Sequence, residues 1–427
     1  MRYRATRAAV AALLAAPALL SVPAAPAEAA PVPSAAVITT PGAFNPLTPT
    51  RILDTRYGTG VAGPVAPNQA IRIPVRGRNG VSATAGSVVL NVTVTQPSAG
   101  GYLTVYPGND APNASNLNFT AGQTVPNLVV ATISSDGYVS IRNTSPGTVH
   151  VIADLSGYYE GGNATGTGMF MPLSPARVLD TRNSGIVPPG GSVDVQITGV
   201  GGVPASGVQA VFLNTTAITP QRPGYITVWP SGEGRPEASS LNFVAGQTVP
   251  NLVMVKVGAN GRVSLFNGSS GAVHLAADVA GYVLDGNDAP QPGAFIPQSP
   301  ERIIDTRSSS WQTGKLQQGW EAYAKFSPWV GGVIANVTVT EPEAPGFIIV
   351  APRAVDPLPT VSNVNFVPGQ TVPNLTTSPT DVNNEVAYVN GAPGRVHVVV
   401  DLAGAFVGSG TLSSNSARKV VVGAGVR

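Results

Sequence analysis

Apolar and polar residues alternate along much of the chain. In residues 88–95, VVLNVTVT, every second position from Val88 is Val or Leu, while Asn91, Thr93 and Thr95 fall between them. A period of two is that of a β-strand, whose successive side chains point to opposite faces. The pattern therefore predicts a half-buried strand.

Runs of this kind recur at short intervals, separated by turn signals such as Asp136-Gly137 and Pro146-Gly147. Many short strands punctuated by Gly, Pro, Asn and Asp are typical of sandwiches, jelly rolls and small barrels. We expect no helix. The strands expected in the first third of the chain lie near 51–56, 70–75, 87–96, 102–106, 115–119, 125–133, 138–143 and 148–159.

The chain repeats itself three times. The stretch AGQTVPNLV at 121–129 returns at 245–253, and GQTVPNL returns at 369–375; RILDTR, RVLDTR and RIIDTR begin at 51, 177 and 302. A period this long exceeds one coil of a solenoid. The fold class we predict is all-β, with three tandem β-sandwich or jelly-roll-like domains of about eight strands each, at 43–160, 169–285 and 294–407. The sequence leaves open whether these domains are beads or close around a pseudo-threefold axis.

The two ends of the chain differ from the repeats. Three arginines, an apolar run and Ala27-Glu28-Ala29 predict a signal peptide at 1–29, followed by a leader at 30–42; residues 408–427 read as a flexible tail. We therefore expect a secreted, extracellular protein with no membrane insertion after cleavage. Without residues 1–29 the formal charge falls from +2 to 0, which argues against nucleic acid as a partner. There is no cysteine to form a disulfide.

Pro126, Pro250 and Pro373 stand inside predicted strands. Proline lacks the N–H that a ladder needs, so each strand should lie at a sheet edge or carry a bulge. The asparagine that follows each proline is suited to an irregular turn.

Several polar positions recur in all copies, and we assign them to a structural network in which Arg56 pairs with Asp54 or Asp154 and the asparagines satisfy backbone groups. The network comprises Asp54, Arg56, Asn127, His150, Asp154, Asp180, Arg182, Asn251, His274, Asp278, Asp305, Arg307, Asn374, His397 and Asp401. We expect no catalytic residues, metal or cofactor. Four strand residues separate His150 from Asp154, roughly 13 Å, which is too far for a direct hydrogen bond, and three histidines meeting on a threefold axis stay open as an alternative.

A ligand site is predicted at the loops that carry an aromatic residue before proline. Tyr106 and Trp229 could stack on sugar rings while Asn118 and Asn242 donate hydrogen bonds to hydroxyls. The third copy has Ala351 at this position, so a site there should be weak or absent.

The motifs F-x-P-x-x-P-x-R-x-[LI]-D-T-R, [LV]-N-F-x-x-G-Q-T-V-P-N-L and V-H-x-x-x-D-[LV]-x-G together resemble a tandem repeat of secreted and surface proteins of actinobacteria, which accompanies cell-wall amidases. The resemblance covers about residues 43–407. It implies an extracellular, accessory, non-catalytic role but supplies no binding residues. The third copy departs from the pattern, with Ala405 where Tyr158 and Tyr282 stand.

We therefore expect a non-enzymatic binding or structural protein of the cell envelope, with a cell-wall glycan such as peptidoglycan, or another surface polymer, as its partner. Two other classes stay open. One is an envelope hydrolase that uses the His and Asp positions, and the other is a self-assembling surface layer or spacer.

Overall fold

The computed structural model describes residues 41–161, 168–286, 292–308, 314–409 and 421–426 of the 427-residue chain. The predicted signal peptide at 1–29, residues 30–40 of the predicted leader and residues 410–420 of the predicted tail lie outside the described residues.

The three copies run through the same series of strands. The first copy forms β1 Phe44–Asp54, β2 Ala70–Pro74, β3 Ala85–Thr95, β4 Gly101–Tyr106, β5 Leu117–Phe119, β6 Val125–Thr132, β7 Tyr138–Asn143 and β8 His150–Glu160. The second forms β9 Phe170–Asp180, β10 Ser192–Gln196, β11 Val208–Ile218, β12 Gly224–Pro230, β13 Leu241–Phe243, β14 Val249–Lys256, β15 Arg262–Asn267 and β16 His274–Leu284. The third forms β17 Phe295–Asp305, β18 Glu321–Phe326, β19 Val330–Thr340, β20 Gly346–Pro352, β21 Val364–Phe366, β22 Val372–Pro379, β23 Glu385–Asn390 and β24 His397–Val407, and the chain ends with β25 Val421–Val426.

Each copy divides its strands between two antiparallel sheets. In the first copy the orders are β1-β8-β3-β6 and β2-β7-β4-β5, and the other copies repeat both. One hydrophobic cluster draws residues from both sheets, including Leu53 and Leu90 from the first sheet and Leu103 and Ile141 from the second. The alternating Val, Ile and Leu positions of the sequence supply this cluster.

A further cluster joins the three copies at the centre of the molecule. It collects fully buried rings from all of them, and the ring centroids of Phe170 and Phe406 are 4.3 Å apart, as are those of Tyr159 and Phe295. We call the three sheets that line this centre inner: β1-β8-β3-β6, β9-β16-β11-β14 and β17-β24-β19-β22. The other three sheets are called outer. The described residues all belong to one compact unit.

The all-β prediction is confirmed, since the described residues contain only strands, turns and loops. The finer prediction of three tandem eight-stranded domains is not matched. The structure has six small sheets instead, and the three inner ones share one centre, because the second face of each inner sheet is apolar and is covered by the neighbouring copies.

The expectation of half-buried strands fails on the inner sheets. In β3, Val88 and Leu90 enter the core of the first copy, whereas Val89 enters the central cluster and Asn91 is only 5% exposed. Asn91 bonds Ser239 and Asn251 of the second copy rather than solvent.

The prolines of the repeated VPN motif do lie on edge strands. β6, β14 and β22 each stand at the end of an inner sheet. Pro126 pairs with Thr93 in an unbroken register, so the strand carries no bulge there. An edge position tolerates proline because the missing N–H is not needed by a neighbouring strand.

Part of the predicted flexible tail is ordered as a strand. β25 pairs antiparallel with β18 and extends the outer sheet of the third copy to five strands. Within the described ranges, no helix has the length and apolar character that crossing a membrane requires.

Candidate functional site

A closed belt of asparagines holds the three copies together. Nδ2 of Asn127 donates to Oδ1 of Asn336 at 2.7 Å, and the equivalent bonds run from Asn251 to Asn91 at 2.9 Å and from Asn374 to Asn214 at 3.0 Å. Each bond joins two different copies. Because every copy donates to one neighbour and accepts from the other, the arrangement closes cyclically.

The same asparagines also satisfy the free edges of the inner sheets. The backbone N–H of Leu128 donates to Oδ1 of Asn251 at 3.2 Å, that of Leu252 to Asn374 at 3.2 Å, and that of Leu375 to Asn127 at 3.0 Å. Asn127 is 1% exposed and uses both ends of its amide in these bonds. Nδ2 of Asn127 also donates to the carbonyl of Asn116 in its own copy at 2.6 Å, so these asparagines bond backbone groups of their own copy as well as of a neighbouring one.

The recurring aspartates and arginines form ion-pair clusters on each inner sheet. Arg56 binds Asp54 through two bonds of 2.9 and 2.7 Å, and Arg51 binds Asp154 through two bonds of 2.8 and 3.1 Å. The same pairs recur as Arg182–Asp180 with Arg177–Asp278, and as Arg307–Asp305 with Arg302–Asp401. Sequence reasoning singled out the arginines that end the repeated segments RILDTR, RVLDTR and RIIDTR. It missed the arginines that begin these segments, Arg51, Arg177 and Arg302.

The two aspartates of a cluster differ in electrostatic environment. The hydrogen bond from the Arg56 guanidinium lowers the pKa of Asp54, and the corresponding bond from Arg182 lowers the pKa of Asp180 well below its ordinary value. Burial raises the pKa of Asp154 in spite of its bonds to Arg51. These clusters are internal electrostatic ties, since each charge has its partner within the copy.

The three histidines are spread over the three copies and do not meet. Nδ1 of His150 lies 2.9 Å from Oγ1 of Thr55, and His274 and His397 contact Thr181 and Thr306 in the same way. Among the described residues, no group of three or more His, Asp or Glu side chains could hold a metal ion. His150 and Asp154 bond separate partners.

The aromatic residues predicted to stack on a ligand are buried. Tyr106 is 2% and Trp229 8% exposed, and Nε1 of Trp229 donates to the carbonyl of Glu233 at 3.0 Å. Ala351, at the equivalent position, is fully buried. These side chains pack in the outer sheets, so they do not offer an open face to a sugar ring.

A cavity of about 500 Å³ opens where the GQTVPN stretches of the three copies converge. Gln123, Gln247 and Gln370 line it, together with the three prolines that precede the asparagine belt. We call it the axial cavity. Its lining contains no charged side chain, and it includes Asn118 and Asn242, the two amides predicted to bind a ligand.

The amides around the axial cavity are turned so that their donors remain available. Oε1 of Gln123 accepts from the backbone N–H of Thr120 at 3.0 Å, and Gln247 and Gln370 accept in the same way from Val244 and Val367. Within the described residues, their Nε2 groups have no hydrogen-bond partner. Oδ1 of Asn118 and of Asn242 accepts from a serine hydroxyl, which leaves their Nδ2 groups free in the same sense.

The axial cavity therefore presents amide donors above a floor of valine and proline. It can bind a neutral ligand rich in oxygen acceptors. Sequence reasoning singled out the GQTVPN stretch but did not assign a role to its glutamines; the signal available was the invariance of Gln beside Thr in a chain poor in charge.

The comparisons with known proteins leave the family open. No family model matches the chain, and the search of curated proteins gives no match. Two of the solved structures that it is similar to are described as "The Triple Jelly Roll Fold and Turret Assembly in an Archaeal Virus" and "Life in the extremes: atomic structure of Sulfolobus Turreted Icosahedral Virus". The first is 11% identical with a TM-score of 0.17, over 87% of this chain and 91% of that one. The second is 13% identical with a TM-score of 0.17, over 87% and 92%.

Proposed function

We propose that the protein is an exported, non-catalytic binding module of the cell envelope that takes neutral sugar units of a cell-wall glycan, such as peptidoglycan, in the axial cavity. The observation that carries the proposal is the uncharged lining of this cavity, with its free amide donors contributed by all three copies. Export rests on the signal-peptide pattern at 1–29.

The ligand class follows from hydrogen-bonding capacity. An amide nitrogen only donates, so its partners are acceptor oxygens of hydroxyl, ether or carbonyl groups. Sugars carry many such oxygens and also an apolar ring face, which fits the valine and proline floor. A volume near 500 Å³ suits one or two sugar units rather than a long oligosaccharide.

The hydrolase alternative has less support from the geometry. A histidine that acts as a general base is normally oriented by a carboxylate partner, whereas His150 bonds the hydroxyl of Thr55 and Asp154 bonds Arg51. The polar residues of the repeats instead connect elements of the fold.

The first prediction tests the axial cavity with the triple variant Gln123→Ala, Gln247→Ala, Gln370→Ala. Losing three donors should weaken binding to purified cell-wall sacculi at least about tenfold. The matched control is Gln69→Ala: Oε1 of Gln69 accepts from the N–H of Ala66 at 2.9 Å, the same turn geometry, but Gln69 lies outside the cavity.

Binding should be measured by sedimentation with sacculi and, for ligand identity, on a glycan array. If the parent protein is not recovered above a control protein, or if the triple variant binds as the parent does, the proposal is wrong. Circular dichroism of both variants separates lost binding from lost folding.

A further inference from the structure

The outer sheets end in three equivalent edge strands, of which one is covered. β2, β10 and β18 occupy the same edge in the three copies, and in the described residues only β18 has a neighbour beyond it, β25. Residues 421–426 thus show what this edge can accept: an extended strand paired antiparallel, with Tyr323 opposite Gly425 and Lys325 opposite Gly423.

The backbone groups that β25 uses are set by the alternation of an antiparallel ladder. Asn390 N donates to Trp320 O at 2.9 Å and Phe326 N donates to Asn384 O at 2.7 Å, so the even-numbered residues of β18 bond β23. The N–H and C=O groups of Glu321, Tyr323 and Lys325 consequently point towards β25.

The same reasoning identifies the open groups on β10. Asn267 N donates to Gly191 O at 2.9 Å and Ile197 N donates to Gly261 O at 3.0 Å. By alternation, the backbone N–H and C=O groups of Val193 and Val195 point towards β15. Ser192, Asp194 and Gln196 therefore direct their backbone N–H and C=O groups to the free edge. No bond from these backbone groups occurs within the part of the chain that the structure describes.

The edge of β2 offers one backbone N–H fewer than the edge of β10. Asn143 N donates to Gln69 O, which places Ala70, Arg72 and Pro74 at the outward positions. Pro74 corresponds to Gln196 and Lys325, and proline has no N–H to donate. A proline on an edge strand is one of the devices that prevents further pairing. β10 lacks it.

From this comparison we propose that the free edge of β10 is a strand-accepting site, and that its occupant is the carboxy-terminal segment, residues 421–426, of a second copy of this chain. The segment already pairs with the equivalent edge in its own copy. The segment is followed by Arg427, whose positive charge complements the carboxylate of Asp194 on β10. Exchange of this strand joins copies head to tail.

A strand held within its own copy competes with the intermolecular pairing. A tethered segment has an effective concentration in roughly the millimolar range. Self-association should therefore rise where copies are crowded, as on a surface, and stay weak in dilute solution.

The second prediction uses the full chain as acceptor and a synthetic peptide of residues 417–427 as probe. Because β25 already covers the edge of β18, we expect the peptide to bind at β10. Isothermal titration should give one site per chain, and a cross-linker on the peptide should label residues 192–196. A scrambled peptide should not bind.

Gln196→Pro places in β10 the residue that β2 carries at this position and should weaken peptide binding roughly tenfold by removing one outward N–H. Gln196→Ala keeps the N–H and should bind as the parent does, which controls for the loss of the side chain. Peptide binding that is absent in the parent, equal in Gln196→Pro, or cross-linked away from β10 would overturn the proposal.

Discussion

Two aspartates in each copy show how the surroundings of one side-chain type reverse its response to pH. Both carboxylates are 1% exposed, but Asp54 accepts bonds from the side chain and the backbone of Arg56, whereas Asp154 accepts only from the side chain of Arg51 within its copy. Charge pairing dominates at the first and desolvation at the second, so their pKa values move in opposite directions. The two aspartates of a cluster therefore contribute with opposite sign to stability in acid.

The third prediction concerns the carboxylate of Asp154, whose charge is opposed by burial. Arg51→Ala leaves the Asp154 carboxylate buried without its guanidinium and should lower the free energy of unfolding by about 3 kcal/mol. Arg72→Ala removes an ion pair whose two side chains are 37% and 53% exposed, and should change stability little. Urea unfolding at neutral pH measures both; equal losses would contradict the assignment.

The fourth prediction is a pH dependence with opposite signs at the two aspartates. The folded-state pKa of Asp54 is lowered, so the unfolded chain takes up a proton first as the pH falls and stability is lost in acid. The folded-state pKa of Asp154 is raised, so this group acts against that loss.

Asp54→Asn should accordingly flatten the fall in unfolding free energy between neutral and acidic pH, and Asp154→Asn should steepen it. Urea titrations at a series of pH values give the slopes, which are independent of each variant's stability at neutral pH. Slopes that change in the same direction for both variants would contradict the opposite environments.

At the scale of single elements, the sequence predicts strands better than it predicts what covers them. Period-two alternation locates β3 and β7, and the proline rule places β6 at an edge, because both depend on local backbone geometry. The partners of Asn91 and Asn127 are not local: they lie 160 and 209 residues away in the chain. No pattern within one copy distinguishes a polar residue facing water from one facing another copy.

The candidate site was predictable to the same extent. Asn118 and Asn242 were chosen for their amides and do line the axial cavity. Tyr106 and Trp229 were chosen because an aromatic residue before proline suggests the edge of a loop. Both instead lie on strands of the outer sheets, and their side chains are buried. The glutamines became candidates only once the convergence of three copies and the direction of each amide were known.

For the whole molecule, the shared centre determines how the three copies respond to damage. Phe212 is fully buried there, with its ring centroid 4.2 Å from that of Phe170 and 5.9 Å from that of Phe44 in the first copy. Its neighbour Leu213 points to the other face of the same strand, into the core of the second copy alone. A substitution at Phe212 therefore removes contacts in the shared centre, whereas a substitution at Leu213 removes contacts in the core of the second copy.

The fifth prediction is that the copies unfold together. Phe212→Ala should cost about 3–5 kcal/mol and Leu213→Ala about 2–5 kcal/mol, by loss of buried area and creation of a cavity. Because the central cluster and the asparagine belt link every copy to both others, either change should lower hydrogen-exchange protection in the inner strands of all three copies. Val382→Ala, at a side chain 92% exposed, serves as the control and should leave protection unchanged.

The decisive observation is the behaviour of the copies that carry no substitution. Peptide-resolved exchange by mass spectrometry reads β3 and β19 separately from β11. If Leu213→Ala weakens protection only in the second copy, the copies unfold as separate domains and the central contacts add little cooperativity. If protection falls equally in all three, a lesion in one copy is carried through the shared centre, and the threefold convergence that builds the axial cavity is itself a property of the cooperative fold.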